Sequence, residues 1–163
     1  MRLMQLRPTT TADLPLLEQL LVEAFNWTGE TRVTLDQVRS DPEHVHHLAG
    51  WQRATDLGTV AETEAGDPAG AAWARIATRA DAGYGFVADD VPELGIAVLA
   101  QYRGRGVGSL LLDACVAQVR AAGHPAVSLS VEDGNTVARR LYESRGFVRV
   151  GRDAGSDTLL LRF

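Results

Sequence analysis

The sequence predicts a single mixed α/β domain over residues 1–163, in which one mixed sheet carries helices on its faces. Three observations predict it. The length of 163 residues suits one domain and is short for two. Apolar residues alternate in several short segments, as in strands with one buried face, and recur at helical spacing in longer segments. In chain order, these segments give β-α-α-β-β-β-α-β-α-β-β.

The first predicted elements are a strand and two helices. Residues 1–7 alternate apolar and polar side chains, which predicts a strand. Residues 16–25 carry leucine, alanine and phenylalanine at helical spacing, so a helix should follow. Thr34 and Gln37 have the spacing of a capping box, which predicts the start of a second, short helix.

A hairpin should come next. Residues 41–55 have no clear periodicity, and no element is predicted for them. Residues 57–63 and 70–78 are predicted strands on either side of the turn-forming segment 64–68. A hairpin with this connection pairs its two strands in antiparallel fashion.

The second half alternates strands and helices around a glycine-rich segment. Its predicted elements are strand 93–99, glycine-rich turn 103–108, a helix through residues 110–119, strand 127–131, helix 135–144 and strands 147–151 and 157–162. Helices connect the fourth strand to the fifth and the fifth to the sixth. We therefore expect parallel strands in the middle of the sheet, at both crossovers.

The composition is that of a globular protein and excludes several classes. Hydrophobic residues make up 45% of the chain and charged residues 23%. No segment has the roughly 18 consecutive apolar residues of a membrane helix, and the first residues lack the apolar run of a signal peptide. We expect a cytoplasmic protein that binds no membrane. The net charge of −5 also argues against nucleic-acid binding, which uses a basic surface.

The sequence predicts neither a disulfide nor a metal site. Cys115 is the only cysteine, and its position among leucines in a helix predicts a buried apolar side chain rather than a nucleophile. His44, His46 and His47 are close in sequence, but no carboxylate or thiol pattern accompanies them. We expect no bound metal.

The glycine-rich turn has the properties of an anion site. Gly104, Gly106 and Gly108 lie between a strand and a helix. Bare glycines allow backbone amides to approach a ligand, and the start of the helix adds its dipole. Arg103 and Arg105 add positive charge. The alternative is a tight turn whose glycines serve chain geometry only.

Two common phosphate loops do not fit this segment. A P-loop requires a lysine, and the chain has none. The dinucleotide fingerprint requires a third glycine at the position of Ser109 and usually lies in the first βαβ unit. Neither nucleotide class is favoured.

Two segments resemble the GNAT superfamily of N-acetyltransferases. Residues 101–108, Gln-Tyr-Arg-Gly-Arg-Gly-Val-Gly, are similar to its Gln/Arg-x-x-Gly-x-Gly/Ala motif. Residues 135–147 are similar to its pattern Asn-x-x-Ala-x-x-Leu-Tyr-x-x-x-Gly-Phe. The element order is similar along the whole chain, with strong motif matches over residues 93–150 and weak ones over residues 1–92. The resemblance implies a GNAT-like fold in which strands four and five splay apart.

The resemblance implies acetyl-CoA as co-substrate, held between the splayed strands. Main-chain groups of strand four bind the pantetheine arm in this family, and the turn binds the pyrophosphate. Asn135 would touch the pantetheine or cysteamine end, although an asparagine there also suits a helix N-cap. The implied cofactor contacts are Ile96, Ala97, Val98, Arg103, Gly104, Arg105, Gly106, Val107, Gly108, Ser109, Asn135 and Tyr142.

The resemblance also implies two catalytic residues. Tyr142 lies two helical turns after Asn135, and in the family this tyrosine points at the thioester sulfur and acts as general acid. The alternative is a tyrosine that only packs in the core. Glu93 resembles the position of a general base, with a surface carboxylate at a strand end as the alternative. The amide of Val98 would stabilise the oxyanion.

The acceptor pocket should come from the variable first half. Trp27, Glu30 and Tyr84 are predicted to line it, because Trp27 and Tyr84 lie in loops beside glycines. Core packing accounts for Trp73. The acceptor is a small-molecule or peptide amine, and its identity stays open.

The sequence therefore predicts an acetyl-CoA-dependent N-acyltransferase that transfers an acetyl group directly to an amine. One alternative is a non-catalytic acyl-CoA-binding or regulatory module on the same fold. Another is a hydrolase or other enzyme that uses the turn for different phosphates. The family's habit also suggests a homodimer.

Overall fold

A computed structural model describes residues 3–163 and has the predicted element order. Residues 1 and 2, part of the first predicted strand, lie outside the described residues. The strands are β1 (Gln5–Pro8), β2 (Leu57–Glu62), β3 (Pro68–Arg75), β4 (Glu93–Val98), β5 (Ala126–Glu132), β6 (Val148–Asp153) and β7 (Ser156–Arg162). The helices are α1 (Leu14–Phe25), α2 (Leu35–Ser40), α3 (Val107–Ala121) and α4 (Thr136–Ser144).

The predicted capping box is present at the start of α2. The Thr34 side chain accepts a hydrogen bond from the Gln37 amide, and the Gln37 side chain accepts one from the Thr34 amide. The β2–β3 hairpin is antiparallel as predicted. Its second strand ends at Arg75, three residues before the predicted end.

The seven strands form one sheet in the order β1-β2-β3-β4-β5-β7-β6. The expected parallel crossover from β4 to β5 is confirmed. The expectation of a second parallel pair is wrong, because β7 lies between β5 and β6 and pairs antiparallel with both. Strand β7 is mostly buried whereas β6 is mostly exposed. The more apolar strand of this hairpin thus takes the inner position.

Each face of the sheet has its own apolar cluster. Helix α1 packs Leu17 and Leu20 against Val60 and Trp73 on one face, and Trp73 is a core residue as predicted. On the other face, α3 and α4 cover a cluster that includes the fully buried Cys115. Burial raises the pKa of the Cys115 thiol to about 12, so it remains protonated and apolar in character.

Candidate functional site

Strands β4 and β5 separate after a single paired position, and a cavity of about 880 Å³ opens between them. Glu93 pairs with Ser128, and beyond this point the two strands diverge. The predicted splay of strands four and five is therefore present. The cavity reaches the turn before α3, the start of α4 and the end of α1.

Backbone groups of β4 face this gap at alternate residues. The amide of Leu99 donates to the Ala69 carbonyl at 2.8 Å, so by the alternation of an antiparallel ladder Ala97 also bonds to β3. Ile96 and Val98 then present their backbone groups to the gap. Ala97 differs from the prediction, because it lines the cavity while its main-chain groups are used by β3.

The glycine-rich turn leaves open space above its backbone. Gly104 and Gly106 have φ of 74° and 78°, and a Cβ added at either would meet no heavy atom within 4 Å. Helix α3 has no side-chain cap, and its first backbone bond runs from the Leu110 amide to the Gly106 carbonyl. The amides of Val107, Gly108 and Ser109 precede this bond and lack a partner within the helix. All three residues line the cavity.

The two arginines of the turn are placed differently from each other. The Arg103 side chain donates to the Val98 carbonyl at 3.0 Å and pairs with Glu23 at 3.1 Å, which ties the turn to β4 and α1. Arg105 lies over the Tyr102 ring, 5.9 Å from its centroid, and does not line the cavity. Only Arg103 therefore borders the space above the turn.

Helix α4 brings Asn135 and Tyr142 to the same cavity. The Asn135 side chain caps the helix by accepting from the Ala138 amide at 3.5 Å. Tyr142 is 7% exposed and its ring lies 6.0 Å from that of Phe147. Burial raises the pKa of Tyr142 to about 12, so its hydroxyl keeps its proton at neutral pH.

Glu93 enters the gap from the opposite face of the sheet. Strand alternation puts it on the face covered by α1, together with Arg75 opposite it on β3, whereas Tyr142 belongs to the cluster under α3 and α4. The carboxylate accepts a hydrogen bond from the Gly85 amide at 2.9 Å. Burial raises the pKa of Glu93, and bonds from the Gly85 and Gly83 amides oppose that rise.

The loop after α1 lines the cavity and is bonded to β5. The Trp27 ring nitrogen donates to Glu132 at 3.0 Å, and Arg32 donates to both oxygens of the same carboxylate at 2.6 and 2.7 Å. The Asn26 side chain closes the loop by accepting from the amides of Arg32 and Val33. Trp27, Arg32 and Glu132 all line the cavity.

The predicted pocket residues have different positions. Trp27 and Tyr84 line the cavity, and burial raises the pKa of Tyr84. Glu30 is exposed on the loop and does not line the cavity. Sequence reasoning missed Glu132 and Arg32, which lie 100 residues apart in the chain and have no local motif.

Two histidines without a predicted role also border the cavity. His46 and His47 have ring centroids 4.2 Å apart. Burial, followed by the neighbouring His46, His44 and Arg75, lowers the pKa of His47 to about 3, so it is neutral at pH 7. Within residues 3–163, no three His, Cys, Asp or Glu side chains form a group that could hold a metal ion. None of the described helices has the length and apolar character needed to cross a membrane.

Comparison with known proteins identifies the family. The sequence model of the Acetyltransferase (GNAT) family matches residues 21–147. The chain belongs to the GNAT acetyltransferase family. The match includes β4, the glycine-rich turn and α4, which carry the motifs of the resemblance.

Among GNAT relatives, a mycothiol acetyltransferase from Thermobispora bispora is 35% identical over 127 residues, covering 78% of this chain and 38% of that protein. A mycothiol acetyltransferase from Propionibacterium freudenreichii is 35% identical over 99 residues, covering 59% of this chain and 29% of that protein. The chain spans about a third of the length of these curated relatives.

Solved structures share the GNAT fold. A GCN5-related N-acetyltransferase from Kribbella flavida has a TM-score of 0.74 at 22% identity, with 98% of both chains covered. A putative acetyltransferase from Salmonella typhimurium, solved with its cofactor acetyl-CoA, has a TM-score of 0.66 at 21% identity, with 98% of this chain and 94% of that chain covered.

Proposed function

We propose that the chain transfers the acetyl group of acetyl-CoA directly to an amine. The observation that carries the proposal is the shape of the β4–β5 gap. A phenol and a carboxylate, Tyr142 and Glu93, enter one cavity from opposite faces of the sheet, beside a cradle of backbone amides. Thioester aminolysis uses these groups together, since it needs an acid for the departing sulfur and a base for the amine.

The residues present fit acetyl-CoA. The uncapped start of α3 and the open space above Gly104 and Gly106 suit a pyrophosphate, which accepts hydrogen bonds and is favoured by the helix dipole. The gap-facing backbone of Ile96 can pair with the amides of a pantetheine arm, as an added strand would, whereas the Val98 carbonyl already accepts from Arg103. Arg103 and Asn135 border the same space. The two roles considered for Asn135 are compatible, because it caps α4 and still lines the cavity.

Tyr142 acts as the general acid in this proposal. The amine nitrogen bonds to the carbonyl carbon and gives a tetrahedral oxyanion; when this intermediate collapses, the C–S bond breaks and the Tyr142 hydroxyl gives its proton to the departing sulfur. A buried phenol whose pKa is raised to about 12 is fully protonated before the reaction, as this role requires. The gap-facing amide of Val98 stabilises the oxyanion.

Glu93 accepts the proton that the amine loses. Burial raises the pKa of Glu93 from its ordinary value, which makes the carboxylate a stronger base than one in water. No water is needed as intermediary if the amine reaches the carboxylate. A chain of ordered waters would serve a more distant amine.

The acceptor is an amine that enters beside Trp27 and Tyr84, on the face covered by α1. Two relatives are named mycothiol acetyltransferases, so we propose a small-molecule amine as the first class to test. The single-domain organisation, the cytoplasmic location and the homodimer stay predictions.

An acceptor screen tests the proposed function. The chain is incubated with acetyl-CoA and a panel of amines that includes the acceptor of mycothiol acetyltransferases, and released thiol is measured with a thiol-reactive dye. We expect thiol release that depends on one acceptor class and falls in Tyr142→Phe. Acetyl-CoA binding without thiol release from any amine would instead support the non-catalytic module.

A further inference from the structure

The β3–β4 loop packs its backbone over β5 and β7, next to the Glu93 side chain. Gly85 is buried against β5, where a Cβ would lie only 2.7 Å from the Leu129 carbonyl carbon. The Thr158 hydroxyl donates to the Tyr84 carbonyl at 3.3 Å, which anchors the loop to β7. These contacts anchor the segment Gly83–Gly85, and its Tyr84 lines the cavity.

This segment supplies the polar partners of the Glu93 carboxylate. The Gly85 amide donates to it at 2.9 Å, and the nearby Gly83 amide also lowers its pKa. Of the charged groups nearby, Arg75 on β3 is the closest by register, but its guanidinium bonds to Asp56 at 3.0 and 2.8 Å. A side chain without a charged partner depends on backbone donors to remain ionised in a buried place.

Other titratable groups face the same cavity, but Glu93 takes its polar partners from the β3–β4 loop. His46 and His47 come from the segment before β2, Glu132 from β5 and Tyr84 from the loop itself. Glu132 is paired with Arg32. None of these groups contributes to the pKa of Glu93, which is set by burial and by the two amides.

Gly83 is glycine for a reason other than backbone conformation. Its φ lies outside the left-handed region, so alanine could adopt the same backbone. A Cβ at this position, however, would overlap the Glu93 carboxylate and lie 2.7 Å from its Cδ. The space that a side chain would fill is the space that the carboxylate occupies.

We propose that the segment Gly83–Gly85 is a positioning device for Glu93, in which the Gly85 amide holds the carboxylate and the absent side chain of Gly83 makes room for it. The catalytic consequence rests on the proposed function, whereas the structural arrangement does not. Gly83 and Gly85 act through Glu93 and do not touch the reacting atoms.

The test compares Gly83→Ala with Gly151→Ala, a control whose φ is also outside the left-handed region and whose Cβ would make only ordinary contacts with Thr158. The pKa of Glu93 is followed by NMR titration of its side-chain carboxyl carbon. Displacing the carboxylate from its donors should raise that pKa by about 1 to 2, and the control should not change it. An unchanged pKa in folded Gly83→Ala overturns the proposal.

Turnover and stability separate this proposal from the proposed function. Gly83→Ala should lower kcat about 10-fold, with no further loss in a Glu93→Gln background, because both act on one group. An equal loss in that background overturns the positioning role. If Glu93→Gln turns over at the wild-type rate while Gly83→Ala still raises the pKa, the base assignment fails and the positioning segment stands.

A second pair of variants tests the proposal through stability, in case Gly83→Ala yields little folded protein. Gly83→Ala should lower Tm in the wild-type chain and by less than half as much in a Glu93→Asp background, because the shorter carboxylate leaves room for the Cβ. An equal loss of Tm in both backgrounds would show that the Glu93 carboxylate is not the reason for a glycine at position 83, and would overturn the proposal.

Discussion

The two walls of the cavity are built from different kinds of groups. The backbone wall consists of the main-chain groups of Ile96 and Val98 that face the gap, together with the open amides of Val107, Gly108 and Ser109 at the start of α3. The side-chain wall consists of Trp27, Arg32, Tyr84, Glu93 and Glu132. Backbone groups are placed by the strand and the turn themselves, whereas each of the side chains needs a partner elsewhere to hold it.

The difference explains why one wall is visible in sequence. A backbone wall requires glycines at fixed spacing, so Gly104, Gly106 and Gly108 leave a motif. The side-chain wall joins Trp27 to Glu132 across 105 residues, a separation that no local pattern records. We therefore expect changes in the backbone wall to affect acetyl-CoA, and changes in the side-chain wall to affect the amine.

The largest effect should come from Gly106→Glu. A carboxylate would occupy the place of the pyrophosphate, and a side chain is strained at φ 78°, so acetyl-CoA binding should be lost. Isothermal titration with acetyl-CoA measures this loss of binding. Gly66→Glu is the matched control, because Gly66 also has a left-handed φ of 87° and open space around it but lies in the β2–β3 turn. Wild-type affinity in folded Gly106→Glu would place the pyrophosphate site elsewhere.

Tyr142→Phe should lower kcat by about 10²–10⁴-fold and leave acetyl-CoA binding nearly intact. Removing one oxygen keeps the ring packed against Phe147. The sulfur gathers negative charge only as it departs, so the lost interaction belongs to the transition state. Single-turnover kinetics measure the chemical step. A wild-type rate for that step, at saturating acceptor, would return Tyr142 to a packing role.

Glu93→Gln should slow turnover about 10–100-fold without weakening acetyl-CoA binding. Glu93 works as a base only when ionised, so wild-type activity should fall as pH drops through its raised pKa, and this acid limb should be absent in Glu93→Gln. Because the pKa of Tyr142 is raised to about 12, loss of its proton should not lower activity below about pH 12. Asp90→Asn is the control, since Asp90 is an exposed carboxylate three residues earlier. An identical pH profile in Glu93→Gln would make Glu93 a structural carboxylate.

The smallest effect should come from Glu132→Gln. Losing the half-exposed ion pair with Arg32 costs about 1 kcal/mol or less, so the KM for the amine should rise by no more than about 5-fold. Steady-state kinetics and titration of acetyl-CoA separate the two ligands. Asp113→Asn, which loses an ion pair with Arg145 outside the cavity, should change neither. A change in acetyl-CoA affinity alone would show that the loop after α1 does not belong to the acceptor site.

The fold was predictable wherever local patterns determine structure. Helices α1, α3 and α4 and the β2–β3 hairpin follow from periodicity, caps and turn residues. The place of β7 between β5 and β6 was not predictable from the helical crossovers, because it depends on which strand of the last hairpin is the more buried. Topology of this kind is a property of the assembled core.

The residues of the candidate site also divide into those that local patterns predict and those that they do not. The turn, Asn135 and Tyr142 came from spacing and resemblance, and the structure brings them to one cavity. Glu30 and Arg105 do not reach it, because side-chain direction in a loop is set by contacts that the sequence does not show. Gly83 and Gly85 had no motif, since their importance lies in what Glu93 needs from them.

Titration of acetyl-CoA and ATP into separate samples of the wild-type chain tests the central claim most directly, because the backbone wall should bind this ligand without any acceptor. We predict a dissociation constant for acetyl-CoA in the range of about 1 μM to 1 mM and no measurable binding of ATP. Equal affinity for ATP, or no heat on adding acetyl-CoA to folded protein, would contradict the assignment of the β4–β5 gap to acetyl-CoA.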